Sequence, residues 1–207
     1  HADDVWLPQK LSHQVKIFNQ FPAIGMAIEA SEYWFDWNDK TKVNIKMQVG
    51  STQDTLHNPP ELLYNLYPLS SGAAPVPCSW MLTKEAILKV GGFEESFVKQ
   101  YQLFEDQAFL CKIYLNEKVF ISSACNNKYR QRPESVVKWV NASGQYHKVR
   151  KYFLDWFVDY IRKNNIRNDK LNKLIEKSLF PYHSPAMYFI FNTLPAKLIT
   201  LIKKVTP

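Results

Sequence analysis

The sequence predicts an α/β domain over residues 1–136, followed by a helical, basic region over residues 137–207. Up to residue 136, segments with the two-residue period of strands alternate with segments of helical period, and beyond it only helical periods occur. A composition of 46% apolar and 14% aromatic residues is typical of a globular chain, and 207 residues suffice for one sizeable core. Residues 151–207 contain ten lysines and arginines against four acidic residues, so they carry most of the net charge of +7.

The first predicted elements are one helix and two strands. The helix ends before Pro22, and its expected buried face consists of four apolar residues at helical spacing: Leu7, Leu11, Val15 and Phe18. Residues 23–35 predict an extended, mostly buried strand. The stretch KVNIKMQV predicts a half-buried strand because apolar and polar residues alternate in it. Its apolar positions are Val43, Ile45, Met47 and Val49.

The middle of the chain predicts a loop, two helices and a strand. Residues 50–76 hold four prolines and little periodicity, which indicates a long surface loop of the kind that is often functional. Thr83 is the expected N-cap of a short helix over Lys84–Val90, and Gly91 is the residue expected to end it. The stretch FEDQAFLCKIYL then predicts a helix, KVFISSA a strand, and NNKYRQRPES a polar, cationic connection. The apolar face of that helix consists of Phe109, Leu110, Ile113 and Tyr114.

The C-terminal region is expected to be helical throughout. One apolar stripe is formed by Val149, Phe153, Trp156 or Phe157, and Tyr160. After Pro195, a second apolar face (Leu198, Ile199, Leu201, Ile202 and Val205) lies beside Lys197, Lys203 and Lys204. That pattern suits a helix lying in a membrane interface, and it equally suits packing against another part of the protein or another subunit. No apolar run approaches the roughly 20 residues that span a bilayer.

Two adjacent carboxylates, Asp3 and Asp4, open the chain in the stretch HADDVW. Asp4 could cap the helix that follows, since a side-chain oxygen ahead of a helix accepts backbone N–H groups that lack partners. Two carboxylates can also hold a hard divalent cation, which prefers oxygen ligands. This stretch alone leaves both interpretations open.

Four motifs follow one another in an order that resembles the second half of the catalytic domain in family-2 inverting glycosyltransferases with a GT-A fold. ADDVW is similar to the end of that family's D-x-D-D-aromatic motif, and GGFEE to its G-G-F-D-E segment. EDQ is similar to its E-D motif, and YRQRPES to its Y-R-x-H-P-x-S stretch. The resemblance covers about residues 1–136. It implies that a nucleotide-binding half of the domain is missing here, and we therefore expect this chain alone to bind a sugar nucleotide weakly.

The resemblance implies a metal-assisted reaction. Mg²⁺ or Mn²⁺ held by carboxylates would neutralise the nucleoside diphosphate that leaves. Asp3 takes the metal-ligand position, with Asp4 beside it. His1 stands where the family has an aspartate, and Arg132 stands where it has a histidine, so a metal contact from that histidine is lost.

The resemblance also implies the base and the substrate contacts. Asp106 takes the position of the general base, with Glu105 orienting it, although Asp106 is equally suited to cap the following helix. Arg130 and Arg132 are expected to bind diphosphate oxygens, or else to be solvated loop cations. The remaining substrate-binding candidates each have a structural alternative. Gly91 and Gly92 could shape the backbone near the acceptor cleft, or they could simply end a helix. Trp80 could stack on a sugar ring, or it could be a buried core residue.

The expected function is transfer of a sugar, with inversion, from a nucleotide-sugar donor to a saccharide or lipid-linked acceptor, as in bacterial cell-envelope polysaccharide biosynthesis. Three cysteines without a CxxC pair favour reduced thiols, and hence a cytoplasmic protein, which could lie peripherally on the inner face of the membrane. The alternative is a non-catalytic fragment or degenerate relative that binds a membrane or a partner through its basic helices. Nucleic acid is not an expected partner, because the aromatic residues sit at core spacing and not between basic residues.

Overall fold

A computed structural model describes residues 3–132 and 134–195. The chain divides into two compact units, His1–Arg150 and Lys151–Pro207. The first unit combines helices with two mixed sheets, and the described part of the second is helical, so the predicted α/β class with a helical C-terminal region is confirmed. The division falls later than residue 136, because the helix Val136–Ala142 belongs to the first unit.

The first unit contains strands and helices in alternation. Its strands are β1 (Val5–Trp6), β2 (Ile24–Glu29), β3 (Ser31–Trp34), β4 (Ile45–Met47), β5 (Thr55–His57), β6 (Trp80–Leu82), β7 (Lys118–Ser122) and β8 (Asn127–Arg130). Its helices are α1 (Lys10–Gln20), α2 (Glu61–Asn65), α3 (Lys84–Lys89), α4 (Glu105–Asn116) and α5 (Val136–Ala142). Helix α6 (Tyr146–Lys163) begins in this unit and continues into the second.

Two bent segments run side by side through both sheets. Strands β2 and β3 are separated by a single residue, and β7 and β8 by a short connection over residues 123–126. Strand β2 pairs in parallel with β7 in one sheet, and β3 pairs in parallel with β8 in the other. The sheet orders are β5-β7-β2-β6 and β1-β8-β3-β4, with antiparallel edge strands in each. The β2–β7 pair ends at Glu29 and Ser122, and the β3–β8 pair ends at Trp34 and Arg130.

Helix α1 buries a different face from the predicted one. Its buried residues are Lys10, Gln14 and Ile17, whereas Leu11 and Val15 are 51% and 48% exposed. The Lys10 ammonium donates to Glu29 Oε1 on β2 at 3.0 Å and to Gln14 Oε1 at 3.0 Å. The helical period was predicted correctly, but a buried ion pair orients the helix in place of the apolar stripe.

Two segments predicted as irregular contain strands. Residues 50–76 hold β5 and α2, because β5 pairs antiparallel with β7. The cationic connection after β7 holds β8, which pairs with β3 and with β1. Strand β4 is an exposed edge strand and not half-buried, with Ile45 at 50% exposure. Partners distant in sequence create these elements, and local periodicity does not report such partners.

The helix signals around residues 83–116 are confirmed. Thr83 Oγ1 accepts from the Ala86 backbone N–H at 3.1 Å and so caps α3, and Gly91 follows that helix at a φ of +73°. The predicted apolar face of α4 is buried, although burial extends over its whole middle from Gln107 to Tyr114.

The second unit consists of the remainder of α6, α7 (Asp169–His183), α8 (Pro185–Tyr188) and a π-helical turn at Phe189–Thr193. Its buried apolar residues are Phe153, Leu154, Phe157, Ile161, Leu171, Ile175 and Leu179. Phe157, and not Trp156, therefore lies on the buried stripe of α6. Over the described residues, no helix has the length and apolar character needed to cross a membrane. The apolar and lysine positions predicted between 197 and 205 lie outside the described residues.

Candidate active site

A pocket of about 240 Å³ opens in the first unit where the end of β8 meets the first turns of α4 and α5. Five of the nine predicted site residues line it: Asp3, Glu105, Asp106, Arg130 and Arg132. These residues lie up to 129 positions apart in the sequence, at Asp3 and Arg132. Strand pairing explains the convergence, because β1 pairs with β8 and carries the N-terminal acidic pair to the arginines.

The N-terminal carboxylates contact the two arginines and not a helix. Asp3 Oδ2 lies 2.8 Å from Arg132 Nη2, and the Arg130 backbone N–H donates to Asp4 Oδ1 at 3.0 Å. The capping interpretation of Asp4 is wrong, because α1 begins only at Lys10 and Gln9 occupies its N-cap position. Asp3 faces the pocket, whereas Asp4 fixes the end of β8 behind it.

The carboxylate of the half-buried Asp4 uses only one of its two oxygens in a hydrogen bond to the described residues. Its Oδ2 is buried and has no hydrogen-bond partner within the described residues. Burial raises the pKa of Asp4 above its usual value, and the bond from the Arg130 amide opposes part of that rise. The nearby Cys78 thiol has a pKa raised to about 12, by its own burial first and by the Asp4 charge second. Asp4 therefore keeps an unsatisfied acceptor directly behind the pocket wall.

Asp106 occupies the second position of α4, not its N-cap, so the capping interpretation of this residue is wrong as well. The Gln107 backbone N–H donates to Asp106 Oδ1 at 2.7 Å. Burial raises the pKa of Asp106 to about 6, the Gln107 bond opposes the rise, and the neighbouring Glu105 charge adds to it. A carboxylate with this pKa is charged near neutral pH and still basic enough to accept a proton, which suits a general base.

Arg130 is held between two indole rings. Its guanidinium carbon lies 5.0 Å from the Trp34 ring centroid and 4.8 Å from that of Trp37. Its Nε is buried without a hydrogen-bond partner within the described residues. Arg132 is half exposed and makes the ion pair with Asp3. Stacking leaves the donors of Arg130 pre-oriented toward the pocket, where a planar anion could accept from them.

Tyr129 is a pocket residue that the sequence interpretation missed. Its pKa is raised to about 12, chiefly by burial and then by Tyr33 and the Asp4 and Asp106 carboxylates. The hydroxyl group therefore remains protonated and lies in the field of both acidic groups. The alternation of Lys128, Tyr129 and Arg130 along a strand was the signal that could have identified it.

Trp80, Gly91 and Gly92 lie away from this pocket. Trp80 is 8% exposed and its ring centroid lies 5.8 Å from that of Phe109, so the structure places it in the core. Gly91 and Gly92 have φ angles of +73° and +68° and end α3. Their conformation accounts for glycine at both positions without a ligand.

The carboxylates at this pocket suit a metal ion that also binds a phosphate group of the substrate. Within the described residues, no group of three or more His, Cys, Asp or Glu side chains could hold a metal ion. Mg²⁺ is commonly bound by only one or two carboxylates together with substrate phosphates. Asp3 lines the pocket and fits that pattern, whereas Asp4 stays behind it with Oδ2 buried. His1 lies outside the described residues.

The raised pKa of Asp106 predicts a pH-dependent stability. The folded chain holds this proton more tightly than the unfolded chain, so ionisation penalises folding as pH rises from about 3.8 to about 6, and fully above that. Asp106→Asn cannot ionise. We expect its free energy of unfolding to exceed that of the wild type by up to about 3 kcal/mol at neutral pH, with no gain below the unfolded pKa.

Urea unfolding of the wild type, Asp106→Asn and the control Glu105→Gln across this pH range measures the difference. Parallel pH profiles for the wild type and Asp106→Asn would show that the Asp106 proton is not held more tightly in the folded state.

The sequence matches no protein-family model, and a search of curated proteins finds no match.

Proposed function

We propose that this chain is the metal- and acceptor-side half of a GT-A-type inverting glycosyltransferase. It would transfer a sugar from a nucleoside-diphosphate sugar to a hydroxyl group of a saccharide or a lipid-linked acceptor. One observation carries the proposal: the acidic pair, the E-D motif and the Y-R motif, far apart in sequence, supply five residues to a single pocket. The family resemblance predicts that these three motifs serve one reaction.

Asp106 acts as the general base. It accepts the proton of the acceptor hydroxyl as that oxygen forms a bond to the anomeric carbon. The bond from the anomeric carbon to the diphosphate oxygen breaks on the opposite face, so the configuration inverts. Glu105, next to Asp106, raises its pKa and so favours proton uptake. Tyr129 lines the pocket, and its hydroxyl group stays protonated, so it would be available as a hydrogen-bond donor to the substrate.

The cationic side of the pocket binds the leaving group. Arg130 presents a guanidinium held by Trp34 and Trp37, and Arg132 is mobile enough at half exposure to exchange Asp3 for a phosphate. A bound Mg²⁺ or Mn²⁺ would supply further neutralisation of the diphosphate. Asp3, with Asp4 behind it, would hold that ion.

Turnover of nucleotide sugars tests the proposal. The chain is incubated with UDP-glucose, UDP-galactose, UDP-N-acetylglucosamine or UDP-N-acetylgalactosamine, Mn²⁺ and a mixture of saccharide acceptors, and the released UDP is measured. Proton NMR of the product then reports the anomeric configuration. The proposal expects release that depends on acceptor, with inversion; a retained configuration would exclude Asp106 as the base of a single displacement.

A second candidate function, peripheral attachment to a membrane or a partner, has its own observation in the second unit. Apolar side chains are exposed on α8 and the turn after it: Met187 (52%), Phe189 (47%), Ile190 (53%) and Phe191 (66%). Exposed apolar clusters of this kind mark interaction surfaces. Co-sedimentation with anionic vesicles, compared between the wild type and Ile190→Ser/Phe191→Ser, tests this candidate independently of turnover. Attachment of this kind would place the protein on the inner face of the membrane.

A further inference from the structure

An open, largely apolar groove of about 480 Å³ adjoins the candidate active site. It is lined by Lys99, Glu134, Val136, Lys138, Trp139 and Ala142. Glu134 and Val136 line both the groove and the pocket that contains Asp106, so the two spaces are direct neighbours. The volume lies within the range of roughly 300–1,000 Å³ that is usual for ligand sites.

Trp139 is an exposed aromatic residue on a well-anchored helix. Its side chain is 52% exposed, although tryptophan is usually buried for the most part. Helix α5 is capped by Ser135, whose Oγ accepts from the Lys138 backbone N–H at 3.4 Å, and Val140 on the opposite side is fully buried. The helix therefore holds the indole ring outward at the groove, and no packing requirement on α5 accounts for a tryptophan there.

The groove combines an aromatic surface with charges of both signs. Lys99 and Lys138 offer donors and Glu134 offers an acceptor. Lys99 also adopts a φ of +54°, a conformation that costs free energy for a residue with a side chain and that recurs at functional sites. A ligand with a flat apolar face and hydroxyl groups at its edge matches this set, because it can cover the indole ring and use donors and acceptors together.

We propose that this groove is a saccharide subsite in which a sugar ring of the acceptor stacks on Trp139. The proposal rests on the proposed function and deepens it. The groove borders the pocket at Glu134 and Val136, so a saccharide stacked on Trp139 would lie beside the pocket that contains Asp106. It assigns to Trp139 the stacking role that the sequence predicted for Trp80. A hydrocarbon chain could cover the indole ring but would use none of the three charged groups at the edge of the groove.

Indole NMR signals test the subsite directly. The Nε1–H signal of Trp139 is identified in the ¹⁵N-labelled full chain from its loss in Trp139→Phe. Cellobiose, lactose, maltose and N,N′-diacetylchitobiose are then titrated to concentrations on the order of 10 mM, which suits weak binding of about −3 kcal/mol. At least one disaccharide should shift this signal in a saturable way. The backbone amide signal of Ala142, another residue of the groove, is present in every variant, and through it Trp139→Ala should show binding weakened at least tenfold. The matched control Phe191→Ala, another exposed aromatic residue, should bind as the wild type does.

The outcomes separate this proposal from the proposed function. If no disaccharide moves the Trp139 signal, or if Trp139→Ala binds as the wild type does, the subsite is refuted whatever the chain does with UDP. If anionic vesicles shift the signal and the saccharides do not, the groove is a membrane contact and the proposal is again overturned. Saccharide binding at Trp139 in a chain that binds no UDP, with or without Mn²⁺, would keep the subsite and reject the proposed function. In an active chain, Trp139→Ala should raise KM for the acceptor while UDP binding stays unchanged.

Discussion

Replacing Lys10 by methionine is expected to lower the free energy of unfolding of the first unit by about 3–5 kcal/mol. The side chains of Lys10 and Glu29 are both fully buried and lie 3.0 Å apart. Burial lowers the pKa of Lys10, and the Glu29 charge opposes that shift, so the pair keeps its charges only through mutual contact. Methionine fills a similar volume but leaves the Glu29 carboxylate without its cation in the protein interior.

The effect should extend to the strand that carries Arg130. Asn127 on β8 donates from Nδ2 to Glu29 Oε1 at 3.2 Å and to the Ala30 carbonyl at 3.0 Å. The Cys78 thiol donates to Asn127 Oδ1 at 3.3 Å. A Glu29 carboxylate that shifts or takes up a proton changes this network directly beneath the pocket.

Urea unfolding of Lys10→Met, Glu29→Leu and the double variant measures the coupling between the two residues. The double variant should recover most of the loss, because no buried charge remains in it. Lys42→Met, which breaks the exposed pair with Asp39, serves as the control and should change stability by less than about 1 kcal/mol. A loss for Lys10→Met no larger than that of the control would show that Glu29 does not depend on the ammonium.

Asp106→Asn is expected to reduce sugar transfer by about 10²–10⁴-fold, the usual contribution of a general base. The amide keeps the size of the side chain and an oxygen that can accept the Gln107 N–H, so α4 should remain folded. It cannot take the proton of the acceptor hydroxyl. The affinity for UDP should stay close to that of the wild type, since we propose Arg130 and Arg132, and not Asp106, for the diphosphate contacts.

The measurement is the steady-state rate of UDP release, with Glu85→Gln, an exposed acidic residue on α3 outside the pocket, as the control. In the wild type, kcat/KM should rise as pH increases through about 6, the pKa of Asp106, and level off above it. Wild-type turnover in Asp106→Asn would remove the base assignment, and a pH profile without that rise would count against it independently.

The sequence predicted those parts of the molecule that depend on local signals. The Thr83 cap, the Gly91 helix end and the buried strand of residues 24–29 follow from residue types and their spacing. The motif order also predicted residues that the fold gathers in one pocket: Asp3 before β1, Glu105 and Asp106 at the start of α4, and Arg130 and Arg132 at the end of β8.

The predictions from the sequence were wrong where a residue distant in the sequence determines burial or contacts. Lys10 looks like a surface residue, and only Glu29 on a neighbouring strand explains its burial. Asp4 and Asp106 look like helix caps, yet strand β1 and the position of the first turn of α4 assign them other contacts. Trp80 and Trp139 cannot be told apart by type, because burial and exposure depend on packing across the whole domain.

Calorimetric titration of UDP into this chain, with and without Mn²⁺, tests the central claim most directly. We expect weak binding, with Kd up to about 1 mM, that requires Mn²⁺. Asp3→Asn should abolish this binding, and Trp139→Ala should retain it. Three results would contradict the assignment of this pocket to a metal-bound nucleoside diphosphate. They are a heat of UDP binding that is the same without Mn²⁺, one that is unchanged in Asp3→Asn, or no binding heat at these concentrations.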